Sequence, residues 1–389
     1  MTTLTPKYYQ GSANSVNRPI QQKFQETVSV LDFGADSTGA TDSYSAFVAA
    51  WNNIKNTGGI LLIPRGNYLL NTTWTIDVQQ NECFISAYGA TITNGTAVTG
   101  YAIVITGGGN YGQCVIEGIA IDHSTNITAT GGIELLNTSY PKVIRNQIRG
   151  NTLITSYTAI RAADSFWAII YNNTIFSYGT SIEIYGESNT LRIEKNQINN
   201  GINGVIFKPN GTTVPNAVKI IDNDFQSNTY SINILTDSSY YVPDGVIISF
   251  NRVEATTAFI SFSGSSASQQ GPQPLLSTNN YLIYGNVTNY LLNPNNQTVN
   301  ILESHYYPVI PGLVNSIGGP SNFNIRTSDT GCNLQVQDHN GSSSWSEGHF
   351  VFGNTYNPQH LWVDSNGSLR IKNGAPTSDF DGTVVGTQT

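Results

Sequence analysis

The sequence predicts an all-β protein that folds as a right-handed parallel β-helix, a solenoid with an N-terminal capping helix and a small C-terminal β-rich domain. Three observations lead to this prediction. A short apolar run ending in Asn-x-apolar recurs six times between Cys114 and Asn289. The chain contains 44 asparagines and 37 glycines, but only 17 basic and 25 acidic residues. Asn and Gly are poor helix formers, which excludes an all-helical protein, and 39% hydrophobic residues exclude disorder.

The six copies are spaced like the coils of a solenoid. Their aligned asparagines follow one another after 27, 23, 27, 28 and 35 residues, and they are Asn146, Asn173, Asn196, Asn223, Asn251 and Asn286. Each copy alternates apolar and polar residues in short stretches between turn residues, which predicts two or three strands per coil. One coil cannot bury its apolar face alone, whereas stacked coils share a continuous core, and parallel crossovers are almost always right-handed. The asparagine suits a corner because it tolerates the left-handed conformation and can hydrogen-bond to the next Asn in a ladder.

One helix is predicted before the repeats, at residues 41–54. Its apolar residues lie on a single stripe, Thr41 or Asp42 can cap its N-terminus, and two glycines end it at residues 58–59. The stripe consists of Phe47, Ala50, Trp51 and Ile54. Such a helix can close the open N-terminal end of the apolar core, and the first strand and corner follow at residues 60–68.

Composition and residue spacing exclude several classes of function. The net charge of −8 and a pI near 5 argue against a nucleic-acid partner, and no apolar run approaches the roughly 20 residues that cross a bilayer. The three cysteines and five histidines are scattered, without a spacing that suits a metal or a redox pair. We therefore predict no metal site and no cofactor.

Two segments resemble bacteriophage proteins. Val28-Ser-Val-Leu-Asp-Phe-Gly-Ala-Asp36, followed by Gly39-Ala-Thr-Asp42 and Ile63-Pro-x-Gly-x-Tyr68, resembles the N-terminal signature of the pectate-lyase-like superfamily found on phage tailspikes. Residues 367–386 resemble the ends of many phage tail proteins. The resemblance implies a homotrimeric tailspike on the virion tail that binds, and usually depolymerises, a bacterial capsular or lipopolysaccharide glycan. The matching motifs are structural caps, so no catalytic residue is carried over from them.

The resemblance and the repeat together divide the chain into three parts. Residues 1–26 are expected to attach the protein to the virion, directly or through an adaptor protein of the tail. Residues 27–308 form the β-helix with its cap. Residues 309–389 form a β-rich domain expected to hold the trimer together, with carbohydrate binding as the alternative.

Because the coils stack in register, the repeat predicts which residues of different coils are neighbours on the surface. Equivalent residues of successive coils lie about 4.8 Å apart on one wall. In each strand, an isoleucine or valine is expected to point into the core, so the residue after it must face outward. These outward residues form a column that consists of Glu134, Arg161, Glu183, Ile206 and Asn233. Two glutamates on either side of an arginine are an unusual concentration in a chain with 11% charged residues.

The glutamate pair predicts glycosidic-bond hydrolysis. Carboxyls about 6.5–9.5 Å apart are typical of inverting glycosidases, in which one protonates the leaving oxygen and the other deprotonates water. Arg161 would hold the base ionised or bind a substrate carboxylate. The candidate substrate-binding residues lie on the same strands or just after them: Asp164, Trp167, Tyr185, Glu187, Lys208, Asn233 and Asp237.

Other interpretations stay open at this stage. A Glu-Arg-Glu column is also what a surface salt-bridge ladder looks like. Further candidates are the Asp122-His123 pair and a second column in front of the corner asparagines, which is Arg145, Asn172, Lys195 and Asp222. The acid and the base could also come from different subunits. The alternative functions are a polysaccharide lyase acting by β-elimination and a receptor-binding adhesin without catalysis.

Overall fold

The computed structural model of the chain divides into two compact units, Met1–Asn322 and Phe323–Thr389. It describes residues 7–8, 11, 15–24, 26–107, 113–126, 128–151, 154–177, 179–210, 213–236, 243–254, 257–264, 274–278, 280–282, 289–292, 300–304, 350–352, 359–364, 366–373, 378 and 380–387.

Three parallel sheets run the length of the first unit. Sheet 1 consists of Thr27–Ser29, Gly59–Leu62, Cys83–Ser86, Cys114–Glu117, Lys142–Ile144, Ile169–Tyr171, Arg192–Glu194, Lys219–Ile221, Val246–Ser249, Pro274–Thr278 and Asn300–Ser304. Sheet 2 consists of Thr38–Asp42, Gly66–Leu70, Ala90–Asn94, Ala120–Asp122, Gln147–Arg149, Thr174–Phe176, Gln197–Asn199, Asp224–Gln226, Arg252–Glu254 and Tyr281–Leu282. Sheet 3 consists of Trp74–Asp77, Tyr101–Thr106, Gly131–Leu136, Thr158–Ala163, Thr180–Tyr185, Asn203–Lys208, Tyr230–Thr236, Ala258–Gly264 and Asn289–Leu292.

Each coil visits the three sheets in turn. The chain passes from Gly131–Leu136 in sheet 3 to Lys142–Ile144 in sheet 1 and Gln147–Arg149 in sheet 2, then returns to sheet 3 at Thr158–Ala163. Strands of the same sheet pair in parallel and in register with the strand one coil away. The predicted parallel β-helix, with three strands per coil, is confirmed.

The core is a set of stacked aliphatic side chains. In sheet 3, the inward column is Ile133, Ile160, Ile182, Val205 and Ile232, and none of these side chains is exposed to solvent. β-Branched residues suit this position because they fit the pleated surface of a strand. Full burial of such a side chain contributes about 1.5–3 kcal/mol to the free energy of folding, so each coil stabilises the solenoid by burying its own aliphatic side chains.

A buried asparagine ladder marks the corner between sheets 1 and 2. In each coil, the Asn side-chain oxygen accepts the backbone N–H and the side-chain amide of the Asn in the preceding coil, at 2.9–3.1 Å. The members are Asn146, Asn173, Asn196, Asn223, Asn251 and Asn280. The predicted hydrogen-bonded ladder is therefore present.

Two details of the ladder prediction are wrong. From Asn146 to Asn251, the residue in the left-handed conformation is the one before the asparagine, such as Lys195 with φ 58°, because the chain turns before the asparagine side chain enters the core. The last rung is Asn280, which accepts the N–H of Asn251, and not Asn286. Tyr281–Leu282 pairs with the strand that follows Asn251. In the last copy, therefore, Tyr281–Leu282 comes after the ladder asparagine, whereas the prediction placed this segment before it. Asn286 lies outside the described residues.

The predicted N-terminal helix is present as Tyr44–Ile54, and all four stripe residues are buried. Its N-cap residue is Ser43, whose side chain makes no capping hydrogen bond, and not Thr41 or Asp42 as predicted. Asp42, one residue earlier, accepts the backbone N–H of Tyr44 at 3.0 Å. Phe47 packs edge-on against Tyr68 and Trp74, with ring centroids 5.5 and 5.1 Å apart. The helix therefore covers the first coils of the core.

The remaining elements are short. Ile20–Phe24 is a helix, Val30–Phe33 is a single 3₁₀ turn, and Lys7–Tyr8 pairs antiparallel with Arg18–Pro19. None of the described helices has the length and apolar character needed to span a membrane. The described residues of the second unit form an antiparallel sheet made of Phe350–Phe352, Gln359–Val363, Ser368–Asn373 and Thr383–Thr387.

Candidate functional site

The predicted charged column forms on the outer side of sheet 3. Glu134 is the register partner of Arg161, and Arg161 is the register partner of Glu183. Ile206 and Asn233 continue the column in the next two coils. Because the preceding residue of each strand lies in the core, these side chains project away from it.

One guanidinium bridges the two carboxylates. Arg161 Nη1 donates a hydrogen bond to Glu134 Oε1 at 2.8 Å. Arg161 Nε lies 2.8 Å from Glu183 Oε1, as an ion pair whose N–H is not aligned for a hydrogen bond. Since both nitrogens belong to one planar group, the two contacting oxygens lie within about 8 Å of each other. Lys208 Nζ, 3.6 Å from Glu183 Oε2, gives Glu183 a second cation.

The column faces outward, but its carboxylates are largely covered. Glu134 is 9% exposed and Glu183 is 7% exposed. The guanidinium of Arg161 lies over the Tyr185 ring, 4.2 Å from its centroid. Burial by itself would lower the pKa of Arg161, but the carboxylates of Glu183 and Glu134 and the hydroxyl of Tyr101 hold that pKa above its usual range. The arginine is therefore a permanent positive charge between two acids.

Tyr101 is a member of this site that the sequence reasoning did not find. It lies one coil before Glu134, pairs with Gly131 and hydrogen-bonds to the side chain of Thr158. Gly131 makes room for its ring, because a Cβ at Gly131 would lie 2.1 Å from the Tyr101 ring. Extending the charged column back by one coil leads to Val104 and not to Tyr101, so the repeat gives no signal for this residue.

Tyr101 is held in its neutral form. Burial, followed by the nearby charges of Glu183 and Glu134, raises the pKa of its hydroxyl well above the usual range. A tyrosine in these surroundings can donate a hydrogen bond, but it is a poor base for removing a proton from carbon.

The predicted substrate-binding residues fall into three places. Tyr185 and Lys208 lie beside the carboxylates and are register partners of each other. Asn233 is buried, and both ends of its amide are used within the protein. Its Nδ2 donates to Asn203 Oδ1 at 2.8 Å, and its Oδ1 accepts the hydroxyl of Ser263 at 2.8 Å. Asn233 therefore organises the wall of the site.

Asp164 and Glu187 lie at the turn that ends the sheet 3 strands. Asp164 has φ 49°, and its Oδ1 accepts the backbone N–H of Glu187 at 2.8 Å, above Gly186. This carboxylate thus caps the turn of the next coil. The side chain of Glu187 is exposed.

Trp167 lies further along, at the corner that leads into sheet 1. It is 41% exposed and stacks on Tyr140. The turn at Asp164 lies between Trp167 and the sheet 3 strand that carries Arg161, so Trp167 is not part of the carboxylate column. Asp237 lies outside the described residues.

The other sequence candidates lie elsewhere on the solenoid. Arg145, Asn172, Lys195 and Asp222 occupy the left-handed position in front of the asparagine ladder. His123 is fully buried, with Nδ1 3.0 Å from the Tyr157 hydroxyl and Nε2 2.6 Å from Asn94 Oδ1. Burial lowers the pKa of His123 to about 4, so the imidazole is neutral near pH 7. Its environment is that of a structural core histidine.

Two parts of the chain match family models. Residues 78–253 match the family described as right handed beta helix region, and residues 324–387 match the family described as capsule depolymerase. No curated protein matches the sequence.

Solved structures of similar fold include two viral proteins. ORF18 of Geobacillus virus E2 is 14% identical, with a TM-score of 0.52, and the match covers 97% of this chain and 81% of that chain. The tailspike protein of E. coli bacteriophage HK620, solved as a mutant in complex with a pentasaccharide, is 14% identical, with a TM-score of 0.51, and the match covers 77% of this chain and 67% of that chain. The family-model matches and these structures confirm the predicted resemblance: this chain is similar to phage tailspikes and capsule depolymerases of the right-handed β-helix fold.

Proposed function

We propose that this protein is a phage tailspike that binds and depolymerises a bacterial surface polysaccharide, either a capsule or an O-antigen, by hydrolysing its glycosidic bonds. The capsule depolymerase match and the tailspike fold support the polysaccharide-degrading part of the proposal. The observation that supports hydrolysis is the pair of covered carboxylates, Glu134 and Glu183, on one guanidinium.

The chemistry requires one proton to be donated and one to be accepted. One glutamate gives its proton to the glycosidic oxygen while the bond from that oxygen to the anomeric carbon breaks. The other glutamate takes a proton from a water molecule, whose oxygen bonds to the same carbon. The net reaction adds one water to the glycosidic bond, and a proton exchange with solvent restores both glutamates.

The neighbouring residues support this reaction. The fork of Arg161 fixes the distance between the carboxylates, because rotation of either glutamate would break its contact with the guanidinium. Tyr101 and Lys208 can donate hydrogen bonds to sugar hydroxyls next to the carboxylates. Tyr185 adds an aromatic wall on which the apolar face of a sugar ring can lie.

The product of the reaction distinguishes hydrolysis from elimination. We expect the protein to shorten its polysaccharide without creating a carbon–carbon double bond, because the site brings together the two carboxylates that hydrolysis requires. The raised pKa of Tyr101 also makes that hydroxyl a poor base for a lyase. The measurement is the absorbance near 235 nm during digestion of purified capsular polysaccharides, combined with mass spectrometry of the released oligosaccharides. Products heavier by one water per cleavage support hydrolysis, and rising absorbance with unsaturated products identifies a lyase. Polymer that is retained at unchanged length identifies a non-catalytic adhesin.

We further propose a homotrimer that is carried on the virion tail, through residues 1–26 or an adaptor protein, and held together by residues 309–389. An outer column of sheet 1 runs from Ile60 to Leu276 and contains three cations, Lys142, Arg192 and Lys219. Its other six side chains are apolar, and they support self-association because they lie on the outer side of the solenoid. These six are Ile60, Phe84, Val115, Ile169, Ile247 and Leu276, of which Ile60 is 40% and Leu276 is 36% exposed. A solution mass of about three chains in light scattering would support the trimer, and a monomer mass would reject it.

A further inference from the structure

At the corner that leads from sheet 3 into sheet 1, the side chain changes from large to small along the solenoid. In five successive coils one residue takes the left-handed conformation there, and in the first four of them its backbone N–H donates to a carbonyl of the next coil. In chain order these residues are Tyr140, Trp167, Thr190, Ala217 and Gly245, with φ 58°, 54°, 59°, 51° and 63°. Two aromatic side chains are thus followed by two small ones and by a residue with no side chain.

The two aromatic rings stack along the solenoid axis. Their centroids are 4.8 Å apart, and their planes differ by 9°. This separation equals the spacing of successive strands, so one ring lies directly on the next coil's ring. Tyr140 covers one face of Trp167, and the other face looks toward the coil of Thr190, where the side chain at the corner is small.

The fold itself does not require an aromatic residue at this corner. A bulky side chain in the left-handed region is conformationally unfavourable, and Ala217 and Gly245 turn the same corner without one. Trp167 is nevertheless 41% exposed, which leaves a large apolar ring face at the surface. Phe250 combines the same strain with even greater exposure at another corner, so these two features alone do not mark a binding surface. What distinguishes Trp167 is that Tyr140 supports one face of its ring, while its other face looks toward a coil with a small side chain at this corner.

We infer that this corner is a sugar-binding subsite, separate from the carboxylates, at which a sugar ring of the polysaccharide stacks its apolar face on Trp167. Above that ring, Thr190, Ala217 and Gly245 leave a notch about 10–14 Å long, which is two to three coil spacings. Asn216 and Asp244 immediately precede Ala217 and Gly245 and bring an amide and a carboxylate next to the notch, groups that hydrogen-bond to hydroxyls. The inference rests on the proposed function, because it assigns a second contact to the same polymer.

The test uses the full-length protein and two substitutions that change this corner in opposite ways. Trp167→Ala removes the platform and introduces the residue that the corner already has at Ala217. Thr190→Tyr fills the notch by extending the aromatic stack. The matched control is Phe250→Ala, because Phe250 is 59% exposed and left-handed at φ 56° but lies at the corner between sheets 1 and 2. The probe is an array of purified bacterial capsular polysaccharides and lipopolysaccharides.

We expect the polymer retained by the wild-type protein to bind about tenfold more weakly to both corner variants, which is the size of effect expected from one aromatic stacking contact. The KM should rise and kcat should stay within about twofold, and bound polymer should shield Trp167 from acrylamide quenching. Equal affinities for Trp167→Ala, Thr190→Tyr and Phe250→Ala on a polymer that the protein cleaves would reject the subsite but keep the proposed function. Retention of no polysaccharide by the wild-type protein would reject both.

Discussion

Replacing Glu134 or Glu183 with glutamine should lower the turnover of the polysaccharide at least a hundredfold. Glutamine has the shape of glutamate, and its side-chain oxygen can still accept the Arg161 contact, but it can neither donate nor accept the proton that the reaction moves. Loss of a general acid or a general base typically costs about 10²–10⁴ in rate. The measurement is kcat on the purified polymer, from reducing ends released over time.

The control for this prediction is another glutamate that is paired with an arginine. Glu194, on the outer side of sheet 1, accepts hydrogen bonds from Arg192 Nε at 2.8 Å and Nη2 at 3.1 Å. Glu194→Gln should leave kcat unchanged and alter the free energy of unfolding by less than about 1 kcal/mol, as is usual for an ion pair near the surface. If all three glutamine variants show this same behaviour, the column on sheet 3 is a salt-bridge ladder without a catalytic role.

The pH profiles of the variants also distinguish the two roles. A reaction that uses one acid and one base gives a bell-shaped dependence of kcat/KM on pH. The variant that lacks the base should lose the fall at low pH, and the variant that lacks the acid should lose the fall at high pH. The two glutamine variants should therefore lose opposite limbs of the pH profile, whereas two structural glutamates would leave both limbs in place.

Asn196→Ala should destabilise the solenoid by about 3–5 kcal/mol. Asn196 is completely buried, and its Nδ2 donates to the Ile170 carbonyl and to Asn223 Oδ1, both at 2.9 Å. Its oxygen accepts the N–H of Asn173 at 3.0 Å and the side-chain amide of Asn173 at 2.9 Å. Alanine removes these partners together, and each buried polar group left unsatisfied costs about 1–3 kcal/mol. The measurement is the denaturant midpoint followed by circular dichroism.

Gln197→Ala is the matched control for the ladder, because Gln197 is the next residue but is exposed on the outer side of sheet 2. Its expected effect is within about 0.5 kcal/mol, as for most surface substitutions. Asn196→Asp tests the accepting and the donating role of the side chain separately. Aspartate keeps an oxygen that accepts from Asn173, but it loses the amide donor and places a negative charge against Asn223 Oδ1 and the Ile170 carbonyl. A ladder that stabilises the fold requires this variant to be destabilised as well. An unchanged midpoint for Asn196→Ala would contradict the role assigned to the ladder.

The repeat was readable from the sequence because its signal is local and recurs in every coil. A buried apolar residue and a corner asparagine in each coil were enough to predict the stacking of Glu134, Arg161 and Glu183 on one wall. The last copy was assigned to the wrong asparagine because residues 281–288 also contain an apolar run followed by Asn. The hydrogen bond from Asn251 to Asn280 and the pairing of Tyr281–Leu282 with the strand after Asn251 distinguish the two alignments, and both are tertiary contacts.

The surroundings of the site were not readable in the same way. Trp167 follows Arg161 by six residues, yet two left-handed turns, at Asp164 and at Trp167 itself, carry it to another corner of the coil. Tyr101 belongs to the site although it lies 33 residues before Glu134, because Gly131 leaves room for its ring. Neither relationship has a periodic signature.

By itself, the sequence determined the coil, the register of the copies from Asn146 to Asn251 and the side of the wall that carries the charged column, because alternation and stacking are repeated short-range constraints. Only the tertiary structure decided that one guanidinium joins the two carboxylates, that this guanidinium lies over the Tyr185 ring and that Trp167 stands at a separate corner. These features depend on where the chain turns and on how far each side chain reaches across neighbouring coils, and both are set by contacts between residues that are distant along the chain.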